Sequence, residues 1–285
     1  RVTPNQMEKW FEEGVRVLEQ NKEGGLAYFK IESSHSEEVL EALSSGVEFS
    51  RIKTVMEMYC RALAGAEIKL SESGELADKN IGWVSSESPS TEGSTVFVPA
   101  LIDRYPSKEE NFSWFKVVST HQVAHLEFGS FRFEFETPST LFKDMRHELE
   151  RNHTAKSHAD EETSEEDSES LERGWVTDMQ RYFDLFSDRK LALDVFTVVE
   201  DGRLDARVKW EYRGIQSAYN RVQSDSLAGR PDITSLPVRE ALVEFLVRLS
   251  LQQYKGLPAP SEYVKEARQI ARISRQVLIS SAGVE

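Results

Sequence analysis

Only one cysteine, Cys60, occurs among the 285 residues, so the chain can close no internal disulfide and can build no thiolate zinc cluster. Cys60 lies in the apolar-periodic run 52–63 and reads as a small core residue. A chain without disulfides is most simply placed in the cytoplasm. No apolar run approaches the roughly 20 residues needed to span a bilayer, and no basic start followed by an apolar core marks a secretory leader. Positive charge is scarce too: 35 Lys and Arg against 49 Asp and Glu give a formal net charge of −14. That balance argues against nucleic acid or an anionic membrane as the main partner, while a basic protein surface stays open. No Gly-rich loop ending in Lys-Ser/Thr is present, so ATP hydrolysis is not expected of this chain. It opens on Arg1 rather than Met, which points to a piece of a longer protein.

What the sequence does contain is helical periodicity. An opening helix is expected from Pro4 to Gln20, with Met7, Trp10, Phe11, Val15 and Leu18 as its apolar stripe. Further helices are expected over 25–33, 36–43 and 50–64, with Ser36 and Ser50 as N-caps. Together they make an N-terminal helical region, 1–70, whose ordinary role is packing and docking. Residues 66–70 and 96–99 read as short strands around a loop rich in Ser, Glu and Gly. Phe131-Arg-Phe-Glu-Phe135 alternates strictly and reads as a strand or extended segment. Towards the end, helices are expected over 176–186, 188–208, 212–222, 237–254 and 261–280. Thr154 to Ser170 holds no large apolar residue and many like charges, so 152–172 is expected to be an acidic, disordered insertion.

The chemistry concentrates in His121-Gln-Val-Ala-His125. Two histidines four residues apart lie one above the other on a helix, here expected from about Asn111 to Phe128, so both imidazoles can reach one metal ion. They share a stripe with Trp114, Val118 and Phe128 and so point inward, where an unpaired polar group is costly. Some 75 residues later, Glu200-Asp-Gly-Arg-Leu-Asp205 falls on another apolar helical stripe, and Glu200 would supply a carboxylate. Two helical histidines and a glutamate from a second helix are the ligand set of the glutamate-type zinc peptidases. The expected metal ligands are therefore His121, His125 and Glu200, with Asp201, Arg203 and Asp205 behind them. The competing arrangement is a hydrogen-bonded core in which Glu200 pairs with Arg203 or Arg207 on its own helix. One residue departs from the peptidase pattern: the general-base position after the first histidine holds Gln122, which has no titratable proton.

These stretches resemble a known family. Val96-Phe-Val-Pro-Ala, Ile102-Asp-Arg-Tyr, His121-Gln-Val-Ala-His-Leu-Glu-Phe-Gly-Ser-Phe131 and Val199-Glu-Asp-Gly-Arg-Leu-Asp205 look like the central region of the nitric oxide reductase activation proteins and the related Rubisco activase adaptor subunit. The resemblance implies a zincin-like core and an adaptor that links a hexameric MoxR-class AAA+ ATPase to a client enzyme. Members end in a von Willebrand factor A domain; its Asp-x-Ser-x-Ser motif does not occur here, so that domain is expected beyond Glu285. The expected class is thus mainly α, a helical array plus a zincin-like helical core with minor β. Its domains would be 1–70, then 95–151 with 173–285 around the acidic insertion. The expected function is a non-catalytic adaptor or maturation factor whose pseudo-peptidase site holds a structural zinc ion. The alternative is an active zinc-dependent metallohydrolase in which Glu127 or Glu148 serves as base; delivery of a metal ion to a client oxidoreductase is a third.

Overall fold

A computed structural model describes residues 4–65, 67–74, 89–160, 177–252, 262–279 and 281–285. Among them helix dominates, with eleven α-helices, three 3-10 turns and five short strands, as the periodicity predicts. No described helix is long and apolar enough to cross a membrane. The chain divides into two compact units, Arg1–Ser119 and Thr120–Glu285, and the division falls inside the helix that carries the histidines.

In the first unit, α1 (Pro4–Gln20) and α2 (Lys22–Phe29) pack so closely that only glycine fits between them. A Cβ on Gly25 would lie 2.4 Å from Leu18 Cα. The buried Trp10 ring stacks on Tyr28 at 5.2 Å between centroids, and the Tyr28 hydroxyl donates to the Trp10 carbonyl at 3.0 Å. Asn21 does more than end α1: its side chain accepts from Glu23 N and Gly24 N and caps α2. The start of α3 (Ser34–Leu43) is capped by Ser33 rather than by Ser36. Ser36 is fully buried and accepts instead from Trp10 Nε1 at 3.1 Å, because a buried indole N–H needs a partner. Nor does Ser50 cap α4 (Phe49–Ala64), whose N-cap is Glu48 without a side-chain bond.

The sheets are small. β1 (Val47–Glu48) pairs with β5 (Leu101–Ile102), while β4 (Thr95–Val98) runs between a parallel β2 (Lys69–Glu72) and an antiparallel β3 (Ser90–Glu92). Next comes α5 (Lys108–Glu127), the histidine helix. Ser107 caps its start: Glu110 N donates to Ser107 Oγ at 3.2 Å, and that hydroxyl donates to Glu110 Oε2 at 3.2 Å. Asn111, fully buried, ties the preceding loop to the helix by accepting from Arg104 N and Tyr105 N and donating to the Ser45, Tyr105 and Ser107 carbonyls.

The second unit opens on the end of α5. Phe131–Phe135 does not form a strand; Ser130–Arg132 is a 3-10 turn. The alternation has another origin: Phe133 and Phe135 are buried with Leu185 while Phe131 faces outward. The Phe135 N–H finds Asp178 Oδ2 at 2.9 Å in place of a neighbouring strand. The remaining helices are α6 (Arg146–Asp160), α7 (Asp178–Phe183), α8 (Arg189–Glu211), α9 (Gln216–Ala228), α10 (Val238–Leu251) and α11 (Val264–Gln276). Residues 152–160 of the expected acidic insertion continue α6; its remainder, 161–172, lies outside the described residues. Phe245 and Leu249 of α10 bury Ala267 of α11, with Ile270 and Ala271 against them.

Two features carry predictions. Ile31 sits at φ 60 as the left-handed residue of a Schellman motif, in which Ile31 N bonds the Tyr28 carbonyl and Glu32 N the Ala27 carbonyl. Left-handed backbone costs an L-residue roughly 1–2 kcal/mol, partly offset on glycine substitution by about 0.4–1 kcal/mol of unfolded-chain entropy. Ile31→Gly is therefore expected to raise unfolding free energy modestly, read from a denaturant midpoint; a lower midpoint contradicts the strain.

The second is Glu244, buried in α10 and held by Arg230 and Arg248. Burial alone would raise its pKa, yet the two guanidiniums overcome it and hold the carboxyl below its ordinary value. A depressed folded pKa gives stability that is complete above the unfolded value of about 4.3 and is lost as pH falls through the folded one. Glu244→Gln should thus be less stable than wild type at pH 7, and the difference should shrink below about pH 4. A pH-independent difference would remove the ion pairs as its cause.

Candidate metal centre

The last two turns of α5 and the middle of α8 supply the site. His121 and His125, one turn apart, present their rings edge to face at 5.3 Å between centroids. Each Nε2 lies 3.6 Å from the same atom, Asp201 Oδ1. Each Nδ1 is engaged on the other side. His121 Nδ1 is 2.8 Å from Asp205 Oδ1, and His125 Nδ1 is 3.1 Å from Ser130 Oγ.

Proton accounting follows from these partners. Asp205 already accepts from the Tyr219 hydroxyl and Gln223 Nε2, so His121 Nδ1 is the donor in their contact. Ser130 spends its own proton on Glu200 Oε1, so it accepts from His125 Nδ1. Imidazoles protonated on Nδ1 carry lone pairs on Nε2. Two lone-pair nitrogens and a carboxylate oxygen then converge, all within 4.8 Å of one another. Acceptors facing acceptors repel, and a cation among them relieves that repulsion.

A proton or a metal ion can play that part. Without metal, burial would lower the His121 pKa, but the charges of Asp205 and Asp201 outweigh it and hold the group well above its ordinary value. His125, buried and facing His121, is pushed down to about 4. The pair thus shares a single added proton. With metal, the geometry fits: bonds of about 2.0–2.1 Å at tetrahedral angles separate ligand atoms by roughly 3.3–3.4 Å, near the 3.6 Å found here. That separation is too long for a direct hydrogen bond. His121, His125 and Asp201 are therefore positioned to hold a metal ion.

The surrounding bonds fix the ligands. Asp205, almost buried, accepts from the Tyr219 hydroxyl and from Gln223 Nε2, each at 2.5 Å, and buried Lys209 donates to Gln223 Oε1. A carboxylate behind a ligating imidazole sets its tautomer and raises its basicity. Ser130 reaches His125 because Gly129, at φ 76, ends α5 in the left-handed conformation and turns the chain back.

Glu200, the expected third ligand, stands elsewhere. Arg203 binds it in bidentate fashion, Nε to Oε2 at 2.7 Å and Nη2 to Oε1 at 2.6 Å. Arg203 also donates to the Ala282 and Phe128 carbonyls. Glu200 is linked to His125 through Ser130. Asp201, expected behind the ligands, is the carboxylate that faces them; neighbouring residues on a helix diverge by about 100°. Asp205 lies against His121 Nδ1, and Arg203 is bound to Glu200, which in turn accepts from Ser130. Of the substitute bases, Glu127 accepts from the Tyr212 hydroxyl at 2.5 Å and Glu148 is exposed on α6. Sequence reasoning missed Ser130, Tyr219 and Gln223. The spacing of Ile215, Tyr219 and Gln223, all buried, marks the last two as polar groups on an inward helical stripe. Ser130 gives no such signal.

Compared with protein-family models, curated proteins and solved structures, the chain matches none of them.

The two carboxylates can be told apart by metal titration. One equivalent of divalent zinc or cobalt is expected to bind, and Asp201→Asn or His125→Ala should abolish it. Glu200→Gln should retain the stoichiometry with affinity weakened roughly 10–100-fold, as for loss of an outer partner. The reverse ranking would return Glu200 to the ligand set.

Proposed function

We propose that the chain is a metal-stabilised, non-catalytic adaptor, cytoplasmic, with zinc held by His121, His125 and Asp201. One observation carries this reading: among the described residues, no carboxylate holds the metallopeptidase general-base position beside the ligand cluster. The position after the first histidine is Gln122, which exchanges no proton. Glu127 is engaged by the Tyr212 hydroxyl. When bound, zinc supplies Lewis acidity and can polarise a carbonyl or acidify water. The chain's own residues hold the ion and set the tautomers of the imidazoles; they do not provide a shuttle for a proton. Imidazole with carboxylate suits zinc among the common divalent ions.

The resemblance of the histidine and Glu200–Asp205 stretches to the activators of nitric oxide reductase and Rubisco supports the adaptor part. In that reading the zincin-like core of α5 and α8 is a scaffold. A MoxR-class AAA+ ATPase supplies the energy, a von Willebrand A domain belongs to the parent chain, and the client is an enzyme. The strongly negative chain would present a complementary surface to basic partners.

Two measurements test this. The zinc-loaded chain should cleave no member of a quenched-fluorescence peptide library, while Gln122→Glu restores the missing group and should create or raise cleavage, a base being worth about 10²–10⁴-fold. Cleavage by the wild-type chain would establish the hydrolase instead. A MoxR-class ATPase from the same cell should co-elute with the chain in the presence of ATP; its failure to do so overturns the adaptor reading.

A further inference from the structure

Three protein atoms leave a tetrahedral ion one ligand short. Among the described residues, no fourth His, Cys, Asp or Glu joins the group. Closed structural zinc sites carry four protein ligands, whereas sites with three keep a position for something exchangeable. The cluster is also accessible: the side chains of Asp201, His121 and His125 are 37 %, 21 % and 17 % exposed. With neutral imidazoles and one ionised aspartate, a divalent ion keeps a unit of positive charge that its ligands do not cancel. An anionic oxygen is the ligand that such a position favours, and Gln122 adds no negative charge to oppose it.

The rim adds a preference. The Phe131 ring lies 5.9 Å from that of His125, tilted by 32°, and is 62 % exposed. It is the outward member of the alternating phenylalanines, left uncovered while Phe133 and Phe135 bury themselves. A phenyl ring in water beside a ligand imidazole gains by covering its face with an apolar group.

We propose that the ion held by His121, His125 and Asp201 takes as its remaining ligand a carboxylate from outside the chain, with Phe131 packing against the apolar group that bears it. This rests on the metal reading above and would fail with it. The carboxylate belongs either to a small free acid or to an acidic side chain of a partner protein. The coordination chemistry is the same, and only the group packed on Phe131 differs.

Cobalt(II) makes the test visible, because its d–d absorption reports ligand number and identity. The full chain is loaded with one equivalent of cobalt and titrated with sodium acetate, sodium benzoate, and a peptide with blocked termini carrying one Phe-Glu pair; sodium chloride is the control. Saturable spectral change is expected with the carboxylates and not with chloride. Benzoate should bind roughly tenfold more tightly than acetate through burial on Phe131, and Phe131→Ala should reduce that preference to within about threefold. Peptide binding tighter than benzoate places the carboxylate on a protein partner; the opposite order places it on a free acid. Cobalt uptake with no response to any carboxylate, with an equal response to chloride, or with an undiminished benzoate preference in Phe131→Ala overturns this proposal alone. A chain that takes up no cobalt overturns the metal reading as well.

Discussion

The second unit depends on one electrostatic constraint, the convergence of His121 Nε2, His125 Nε2 and Asp201 Oδ1. Three acceptors brought within reach of one another favour positive charge between them. Every neighbouring bond makes that demand sharper. Asp205 and Ser130 hold the Nδ1 protons in place, which keeps the lone pairs on the inward nitrogens. A cation among them is then worth more than in water, because the imidazoles are mostly buried and the effective dielectric is low. A proton shared by the histidines satisfies the constraint partially; an ion with several coordination directions satisfies all three atoms together.

α8 separates two environments by rotation alone. Asp201, Asp205 and Val208 project from one face. About half a turn away, Ala192, Val195, Phe196 and Val199 line a groove of about 830 Å³, with Glu200 and Arg203 at its floor. Arg203 is only 1 % exposed and joins the two sides, since the carboxylate it neutralises also accepts the Ser130 proton that lets Ser130 support His125. Breaking a buried ion pair by removing one partner strands the other charge. The pair thus lines the groove on one side and is linked to the histidine through Ser130 on the other.

Periodicity made the helices legible because burial of one stripe is what stabilises them, and α1, α5, α8 and α10 all lie close to their expected bounds. Two kinds of feature were harder. Caps were displaced by competition: Ser36 has the right chemistry to start a helix, but a buried indole N–H makes the larger claim on it. Alternation at Phe131–Phe135 is real, yet period two records which side chains are buried and not whether a strand lies alongside. At the site, the i, i+4 histidines were readable from spacing. The third group was not, because Glu200 and Asp201 are adjacent in sequence and only the rotation of α8 decides which of them faces α5.

Charge explains why that choice falls on Asp201. The hexapeptide 200–205 places three carboxylates within two turns of a largely buried helix, where mutual repulsion is strong. Each is neutralised separately. Glu200 has the Arg203 guanidinium. Asp205 has three donors, from Tyr219, Gln223 and His121. Among the described residues, Asp201 faces the two imidazoles, each at 3.6 Å. Its pKa is below the ordinary value: burial opposes ionisation, and the positive charge gathered at His121 overcomes it. Of the three, Asp201 is the carboxylate that the helix points at the histidines, 3.6 Å from the Nε2 atom of each. A ligand set is selected by what its neighbours leave unsatisfied, and here that selection passes over the glutamate that the motif alone would choose.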